Sequence, residues 1–265
     1  MILSHRAALG GVQLDSVDSL IMVKGVSTQA PRENDITAPV GGNGLRFIRK
    51  KRESLEVQVR IGLRLFDDDM DEREELLEKV NGWAGNLPAW FTTTQKPDRR
   101  LWVESVQQPA AGDPYEWTNE YTYTFRALAA PYWQKATATS ATLAAADSNT
   151  KTITVPGTEE TVLDMELTNG TGNTINDLTI AAAGGGTFTF ESLGLDNGEK
   201  LVISHSNDGL LNIEIVNGNT RRNAMDKRTG ASSNDMTILP GSNKQITITA
   251  AGAMTGTISC YGRYK

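Results

Sequence analysis

The stretch Leu55–Phe66, LEVQVRIGLRLF, constrains the fold more than any other. Leu55, Val57, Val59, Ile61, Leu63 and Leu65 hold its odd positions, and Glu56, Gln58, Arg60, Gly62 and Arg64 its even ones. A side-chain period of two gives each set its own face of a strand, whereas a helix would scatter both sets around its circumference. The spacing therefore predicts a long strand with one apolar and one polar face, as in an antiparallel sheet laid over a core.

That strand belongs to a chain of 265 residues, enough for one large or two ordinary domains. A formal net charge of −6 argues against a general nucleic-acid binder, which needs a basic face to neutralise phosphates, and against an anionic membrane surface as partner. It suits a wall past which DNA slides without sticking. The single cysteine, Cys260, excludes an intrachain disulfide and a Cys-based zinc site, and its alternation with Ile258 marks a small buried hydrophobe. The opening residues, MILSHRAALGG, hold too short an apolar run for a secretory leader, and no stretch nears the roughly 20 apolar residues of a membrane-spanning helix. Cytoplasmic synthesis and no membrane partner are expected.

Before the organising strand, apolar runs at Val12–Leu14 and Leu20–Val23 predict two short strands. Residues Gln29–Asn43, QAPRENDITAPVGGN, lose periodicity and read as a long loop or extended arm. The basic run Arg49–Arg52 reads as the solvated start of the organising strand. After Phe66, Met70, Leu77, Val80 and Ala84 fall at helical spacing, with Leu76 and Trp83 beside them. Asp67–Asp69 offer an N-cap, the acids of the first turn suit the helix dipole, and Gly82 or Gly85 supplies a left-handed stop, so a helix is expected from about Asp69 to Ala84. Helix-start chemistry accounts for the acidic cluster better than a metal site does. Ala89–Thr94, Leu101–Val106 and Trp117–Ala127 read as strands; in the last, Trp117, Tyr121, Tyr123 and Phe125 share a face that matches the apolar face of the organising strand.

The expected organisation is a domain over residues 1–134, an Ala/Thr/Ser-rich linker at 135–148, and a second domain over 149–265. Nine short apolar runs follow the linker: Lys151–Val155, Val162–Leu167, Leu178–Ala181, Thr187–Phe190, Leu201–Ser204, Leu211–Val216, Met236–Leu239, Gln245–Thr249 and Gly256–Tyr261. Pro-Gly, Asn-Gly and Asp-Gly turns separate them, as in a β-sandwich of jelly-roll type. The polar loop Gly218–Asn234 reads as exposed and suited to contacting a partner.

Catalytic constellations do not emerge. His5 and His205 stand near no other His, no Cys and no patterned carboxylate; Gly184-Gly185-Gly186 lies between strands and reads as a turn rather than a phosphate cradle. Asp226 and Asp235 flank the polar loop without any signal that brings them to a working separation. No enzyme activity, no metal and no cofactor is expected; the chain reads as one that works by shape and contact.

Two features carry a family resemblance. One is the order of the first half: an open arm with a Gly-rich tip, the alternating strand, one capped helix, then strands ending at Ala130-Pro131-Tyr132-Trp133. The other is the stretch Leu239-Pro240-Gly241-Ser242-Asn243-Lys244-Gln245-Ile246-Thr247-Ile248. Together they resemble the distal tail proteins of long, non-contractile-tailed phages. The second stretch is similar to that family's L-x-P-G-x-N-x-I segment with one residue fewer before the proline, and Tyr261-Gly262-Arg263-Tyr264 is similar to its closing aromatic–Arg–aromatic strand. Thr187–Phe190 followed by Gly198–Ile203 resembles its middle strands, while His205 departs from the acid the family tends to carry there.

The resemblance implies a mainly β fold: an N-terminal β-sandwich or split barrel with one α-helix, related to tail-tube subunits, and a C-terminal galectin-like β-sandwich. It implies a virion structural protein in which six copies close into a ring at the tail tip. The ring would join the tail tube to the tail-tip protein and to receptor-binding proteins, with DNA passing through its lumen. An arm that orders on assembly makes Pro31, Arg32, Ile36, Pro39, Leu45, Phe47, Arg49 and Lys50 the candidate oligomer interface. Two other readings stay open. The second domain could act as a carbohydrate-binding module through His205, Asn207, Arg221 and Arg222, although it has no tryptophan to stack a sugar. Alternatively, the chain could be a tail-tube or adaptor subunit.

Overall fold

The computed structural model describes residues 5–29, 33–40, 44–52, 54–65, 70–109, 120–147 and 149–265, with the two strands inside 33–52 described by their backbone. The chain divides into two compact units, residues 1–133 with Lys265, and residues 134–264.

The first unit is built from β1 (Ala7–Leu9), β2 (Val12–Gln13), β3 (Ile21–Thr28), β4 (Glu33–Val40), β5 (Gly44–Arg52), β6 (Leu55–Leu63), α1 (Met70–Ala84), β7 (Ala89–Thr93), β8 (Lys96–Val103), β9 (Ser105–Gln107) and β10 (Glu120–Ala127). β6 is the predicted organising strand. It lies inside the sheet β3-β6-β10-β9, and Leu55, Val57, Val59, Ile61 and Leu63 are all buried. Its register with β10 sets Val57 opposite Phe125, Val59 opposite Tyr123 and Ile61 opposite Tyr121, so the aromatic stripe is a core face. Trp117, predicted on the same stripe, lies outside the described residues. On the other face Glu56 pairs with Arg126 at 2.9 Å.

Strands β2, β1, β7 and β8 lie side by side and antiparallel in a second sheet. Its Phe91 ring lies 5.6 Å from Phe125, and the Trp83 ring of α1 meets the same Phe125 edge-on at 5.6 Å. Phe125 thus joins both sheets and the helix. The helix buries Arg73, Leu76, Val80, Trp83 and Ala84, a stripe at steps of three and four. Two residues expected on it differ: Met70 is 47% exposed and Leu77 half-buried, because the stripe runs through Leu76 and Val80. The helix is anchored by Tyr123 donating to Asn81 Oδ1 at 2.7 Å, Trp83 Nε1 donating to the Val12 carbonyl at 2.9 Å, and a Lys79–Asp18 ion pair at 2.9 Å. Neither Gly82 nor Gly85 takes the left-handed conformation expected of the stop. Instead the Gly85 N–H closes a last turn on the Asn81 carbonyl at 2.8 Å, and Pro88 follows. The proposed cap Asp67–Asp69 lies outside the described residues.

Residues Gln29–Asn43, expected as a long loop or extended arm, supply β4, which pairs with β5 in a separate two-stranded sheet. The basic run Arg49–Arg52 ends β5 rather than opening β6. A ladder is made of backbone hydrogen bonds, and side-chain alternation appears where one face is buried on a core; the sequence of β4 carries no such signal.

The division falls within β11 (Trp133–Lys135), and the second unit then holds β12 (Thr139–Leu143), β13 (Thr150–Val155), β14 (Thr161–Asn169), β15 (Leu178–Ala182), β16 (Thr187–Phe190), β17 (Lys200–His205), β18 (Leu211–Asn217), β19 (Thr220–Asn223), β20 (Thr237–Ile238), β21 (Gly241–Thr249), β22 (Met254–Cys260) and β23 (Arg263–Tyr264). One sheet runs β12-β22-β14-β17-β18-β19, with β20 also paired to β14; the other runs β13-β21-β15-β16. Their inner faces share one apolar cluster that includes Leu163, Ile180, Phe188, Phe190, Ile203, Ile213, Ile248, Ile258 and Cys260. This is the predicted β-sandwich, and the nine predicted runs each hold one of its strands. The stretch 135–148, expected as a linker, contributes β12, whose Leu143 is buried while Ser140 and Thr142 point outward. Alternation among Ala, Ser and Thr is a weak apolar signal, which is why composition concealed it.

Each unit has one substitution that reports on it. Phe125→Ala removes the ring shared by both sheets and the helix, and is expected to cost the first unit about 3–5 kcal/mol. All five tryptophans lie at or before Trp133, so a denaturant titration followed by tryptophan fluorescence reads that unit. Gly256→Ala would set a Cβ 1.9 Å from the Glu166 carbonyl of β14, at φ +156°, and is expected to destabilise the second unit by more than about 1 kcal/mol in far-UV circular dichroism, with the fluorescence transition unmoved.

Candidate functional site

The described members of the predicted oligomer interface fall on one hairpin. Ile36 and Pro39 are on β4, and Leu45, Phe47, Arg49 and Lys50 on β5, with Pro39 opposite Leu45, Thr37 opposite Phe47, Ile36 opposite Arg49 and Asp35 opposite Lys50. The register steps past Ile48, a β-bulge that adds one residue to β5. Pro31 and Arg32 lie outside the described residues. The hairpin sequence holds Arg46, Arg49, Lys50, Lys51 and Arg52 against Glu33 and Asp35, so it is cationic in a chain of net charge −6. A two-stranded ribbon on its own is marginal in water and gains stability by packing on something else.

The residues considered for a ligand do not converge. Asn207 sits in the exposed turn after β17. Arg221 and Arg222 are on β19, where Arg221 stands opposite Val216, while His205 stands opposite Leu211. That offset places the arginines about 17 Å along the ladder from His205. Both are committed to carboxylates: Arg221 to Glu214 at 2.8 Å, and Arg222 to the buried Glu199, which also accepts the Asp196 N–H at 2.9 Å.

His205 itself is turned inward, its side chain 3% exposed. Its Nδ1 lies 2.9 Å from Asp164 Oδ1 and its Nε2 lies 2.6 Å from Asp235 Oδ1, and the same Asp164 oxygen accepts the His205 backbone N–H at 2.9 Å. The cluster sits where the β14 ladder changes partners. β17 pairs with β14 from Thr168 to Met165, and β20 takes over at Val162 and Thr161. Burial alone would push the His205 pKa down; hydrogen bonds to Asp164 and Asp235, and their charges, outweigh it and raise the pKa to about 9. Burial works to raise the Asp235 pKa, yet the bond to His205 and its charge hold it below its ordinary value. With both nitrogens engaged, the imidazolium works as an ion-pair bridge rather than as a proton acceptor for a substrate.

In sequence His205 had no visible carboxylate partner; Asp164 is 41 residues away and Asp235 is 30. One signal did exist. His205 continues the inward series Leu201, Ile203, and a polar side chain on a core face requires buried partners.

The loop Gly218–Asn234, expected to be exposed and suited to contacting a partner, is exposed at most of its positions, with Ala224 buried, and its second half is also hydrogen-bonded to the sandwich. After β19 and a short helical turn at Met225–Lys227, residues 227–233 run along β16. Glu191 N–H donates to the Lys227 carbonyl (3.1 Å), Thr229 N–H to the Thr189 carbonyl (2.9 Å) and Ser233 N–H to the Thr187 carbonyl (2.7 Å). Thr187 and Thr189 N–H donate to the hydroxyls of Ser233 and Ser232, each at 2.9 Å. The Arg228 guanidinium covers the Phe188 ring at 4.4 Å. The glycine triplet is a turn, as predicted, and it receives the end of this segment: Gly186 N–H donates to the Thr237 carbonyl at 2.9 Å, and a Cβ at Gly186 would lie 2.3 Å from the Asp235 carbonyl.

Fold and hairpin together define the class: a mainly β chain of two units that carries a ribbon of its own. No family model matches the chain, and no curated protein matches it. Among solved structures the chain is similar to SPP1 Dit (gp 19.1), described as a paradigm of the hub adsorption apparatus in phages infecting Gram-positive bacteria, with a TM-score of 0.67 and 12% identity over 98% of this chain and 99% of that one. The activated, calcium-containing phage P2 baseplate gives a TM-score of 0.46 at 9% identity, over 99% of this chain and 98% of that one. The chain shares the fold of SPP1 Dit along nearly its whole length.

The buried imidazole has a pH signature. A His raised from 6.5 to about 9 on folding contributes stability that is complete below pH 6.5 and lost as the pH climbs through 9. Asp235, lowered from 3.8, contributes above that value and loses its contribution as the pH falls through its depressed pKa. The second unit is therefore expected to melt highest between about pH 4 and 6.5. In His205→Gln the decline in melting temperature from pH 6.5 to 9 should flatten; equal slopes in both proteins would contradict the assignment.

Proposed function

We propose that this protein is a structural subunit of a phage tail tip, a distal-tail hub whose copies close into a hexameric ring. In this reading the ring joins the tail tube to the tail-tip protein and to receptor-binding proteins, and DNA passes through its lumen. The observation that carries the reading is the correspondence with SPP1 Dit, which runs through both units of one chain rather than through a single common sandwich. The hairpin β4–β5 supports it. A cationic ribbon that forms its own sheet suits the anionic body of a neighbouring copy, and head-to-tail contacts of that kind generate a ring when the rotation closes. The role is architectural, through surfaces rather than through chemistry.

The test is native mass spectrometry with negative-stain imaging of the purified chain. A closed ring near six times 28.7 kDa is the expected species, and a strict monomer at every concentration, with or without added tail-tube protein, would overturn the reading. Replacing residues 33–52 by a short Gly-Ser link should leave the circular dichroism spectrum of both units intact and yield monomers. The ring should also loosen as salt rises from about 0.05 to 0.5 M, because exposed ion pairs are screened over that range.

A further inference from the structure

The segment Lys227–Asp235 lies along β16, with one β-bridge from Arg228 to Phe190 and a turn closed by the Ser232 N–H on the Thr229 carbonyl at 3.0 Å, and it ends at the buried His205. We propose that this segment is a strap closing the β16 edge of the sandwich, and that the Asp164–His205–Asp235 bridge is its catch, released by loss of the imidazole proton while the rest of the unit stays folded.

Three features of the geometry point to a catch rather than to general core. First, the strap is held to β16 by a mixed set of bonds: backbone N–H groups at Glu191, Thr229 and Ser233, and the hydroxyls of Ser232 and Ser233. Hydroxyls that stand in for backbone carbonyls leave the strap less tightly registered than a true strand. Second, Asp235 lies two residues past the last of these bonds, so its link to His205 terminates the strap. Third, the other carboxylate, Asp164, belongs to β14, which is paired on both sides and also holds the His205 backbone; the Met236 carbonyl accepts the Leu163 N–H of the same strand at 2.8 Å, so the chain is pinned to β14 from Met236 onward and the part left to move is the stretch before it.

A charged imidazole donates from both nitrogens, whereas the neutral ring has one donor and one lone pair. Deprotonation therefore turns one of the two bonds into a lone pair facing a carboxylate. Asp164 is fixed by its ladder, and Asp235 Oδ1 also accepts the Met236 N–H at 2.9 Å, so the strap swings away from His205 about Met236. The other groups facing the catch leave this order unchanged. Arg263 favours the charged form of Asp235, and Cys260 on β22, its thiol pushed up to about 11 chiefly by burial and also by Asp164, stays neutral until after His205 has titrated. Opening would uncover the alternating edge Thr187-Phe188-Thr189-Phe190, the kind of edge that pairs with another strand when unprotected.

The strap carries its own trypsin sites, Lys227 and Arg228, and β19 carries a reference site, Arg221, outside it. Under single-cut conditions, cleavage at Arg228 relative to Arg221 is expected to rise about tenfold between pH 8 and 10, following a titration centred near 9. The far-UV circular dichroism spectrum should stay constant over that range. The chain has two histidines, so imidazole NMR resolves His205 against His5 as an internal control, and the His205 titration should coincide with the rise in cleavage. Asp235→Asn should shift the rise to lower pH. Gly186→Ala, which forces the Asp235 carbonyl away without touching the imidazole, should make Arg228 cleavable already at pH 7.5. A cleavage ratio that is flat with pH, or one that rises only as the circular dichroism signal is lost, would overturn the proposal. It does not depend on ring assembly, and a ring that forms normally leaves it standing or falling on these measurements.

Discussion

The constraint on which this molecule depends is the need of every strand to satisfy its backbone hydrogen bonds on both sides. β6 and β14 meet it inside sheets, flanked by neighbours, and they carry the apolar faces that define the two cores. Edges are handled differently. β16 is covered by the 227–233 segment, partly through serine hydroxyls. β4 and β5 satisfy one another in a two-stranded ribbon that joins no other sheet among the described residues. One edge solution is a closure by another segment of the same unit, and the other is a ribbon whose two strands pair with each other.

Buried polar groups fix where the connecting segments lie. Glu199, inside the second unit, accepts hydrogen bonds from the Asp196 backbone and from Arg222, which ties the loop before β17 to β19. Asn169 is fully buried and bonds the carbonyls of Asn173 and Leu195 at 2.7 and 2.8 Å. His205 bridges β14 and the end of the 227–235 segment. A buried polar group left unpaired costs about 1–3 kcal/mol, so each of these side chains selects one path for a stretch of chain that has few apolar anchors. In the first unit the same task falls to Asn81, Trp83 and Lys79, through which α1 holds its place against β10, β2 and the turn before β3.

The tail-hub reading rests on architecture and not on a site. Of the residues weighed for a sugar, Arg221 and Arg222 are held by carboxylates, His205 is turned inward, and Asn207 stands apart in the exposed turn after β17. The hairpin, by contrast, gathers six of the eight residues expected at a subunit contact, and its charge is opposite in sign to that of the chain as a whole. An excess of opposite charge between an arm and a body favours association between copies and sets its orientation.

The amino-acid sequence by itself determined the elements whose side chains feel a core. The alternation of Leu55–Leu63, the stripe Leu76, Val80, Trp83 on the helix, the aromatic face of β10 and the nine runs of the sandwich are legible because burial imposes a period of two or 3.6 on local residues. Tertiary structure decided what local periodicity does not record. β4 is a strand because β5 lies beside it; Thr139–Leu143 is an edge strand because β22 is there to receive it. The polar 227–233 segment is part of the sandwich because β16 has an edge to close. His205 is a bridge because folding brings Asp164 and Asp235 to its two nitrogens. Each of these rests on hydrogen bonds between groups far apart in the chain, and such bonds depend on backbone register and burial, which exist only once the sheets have formed.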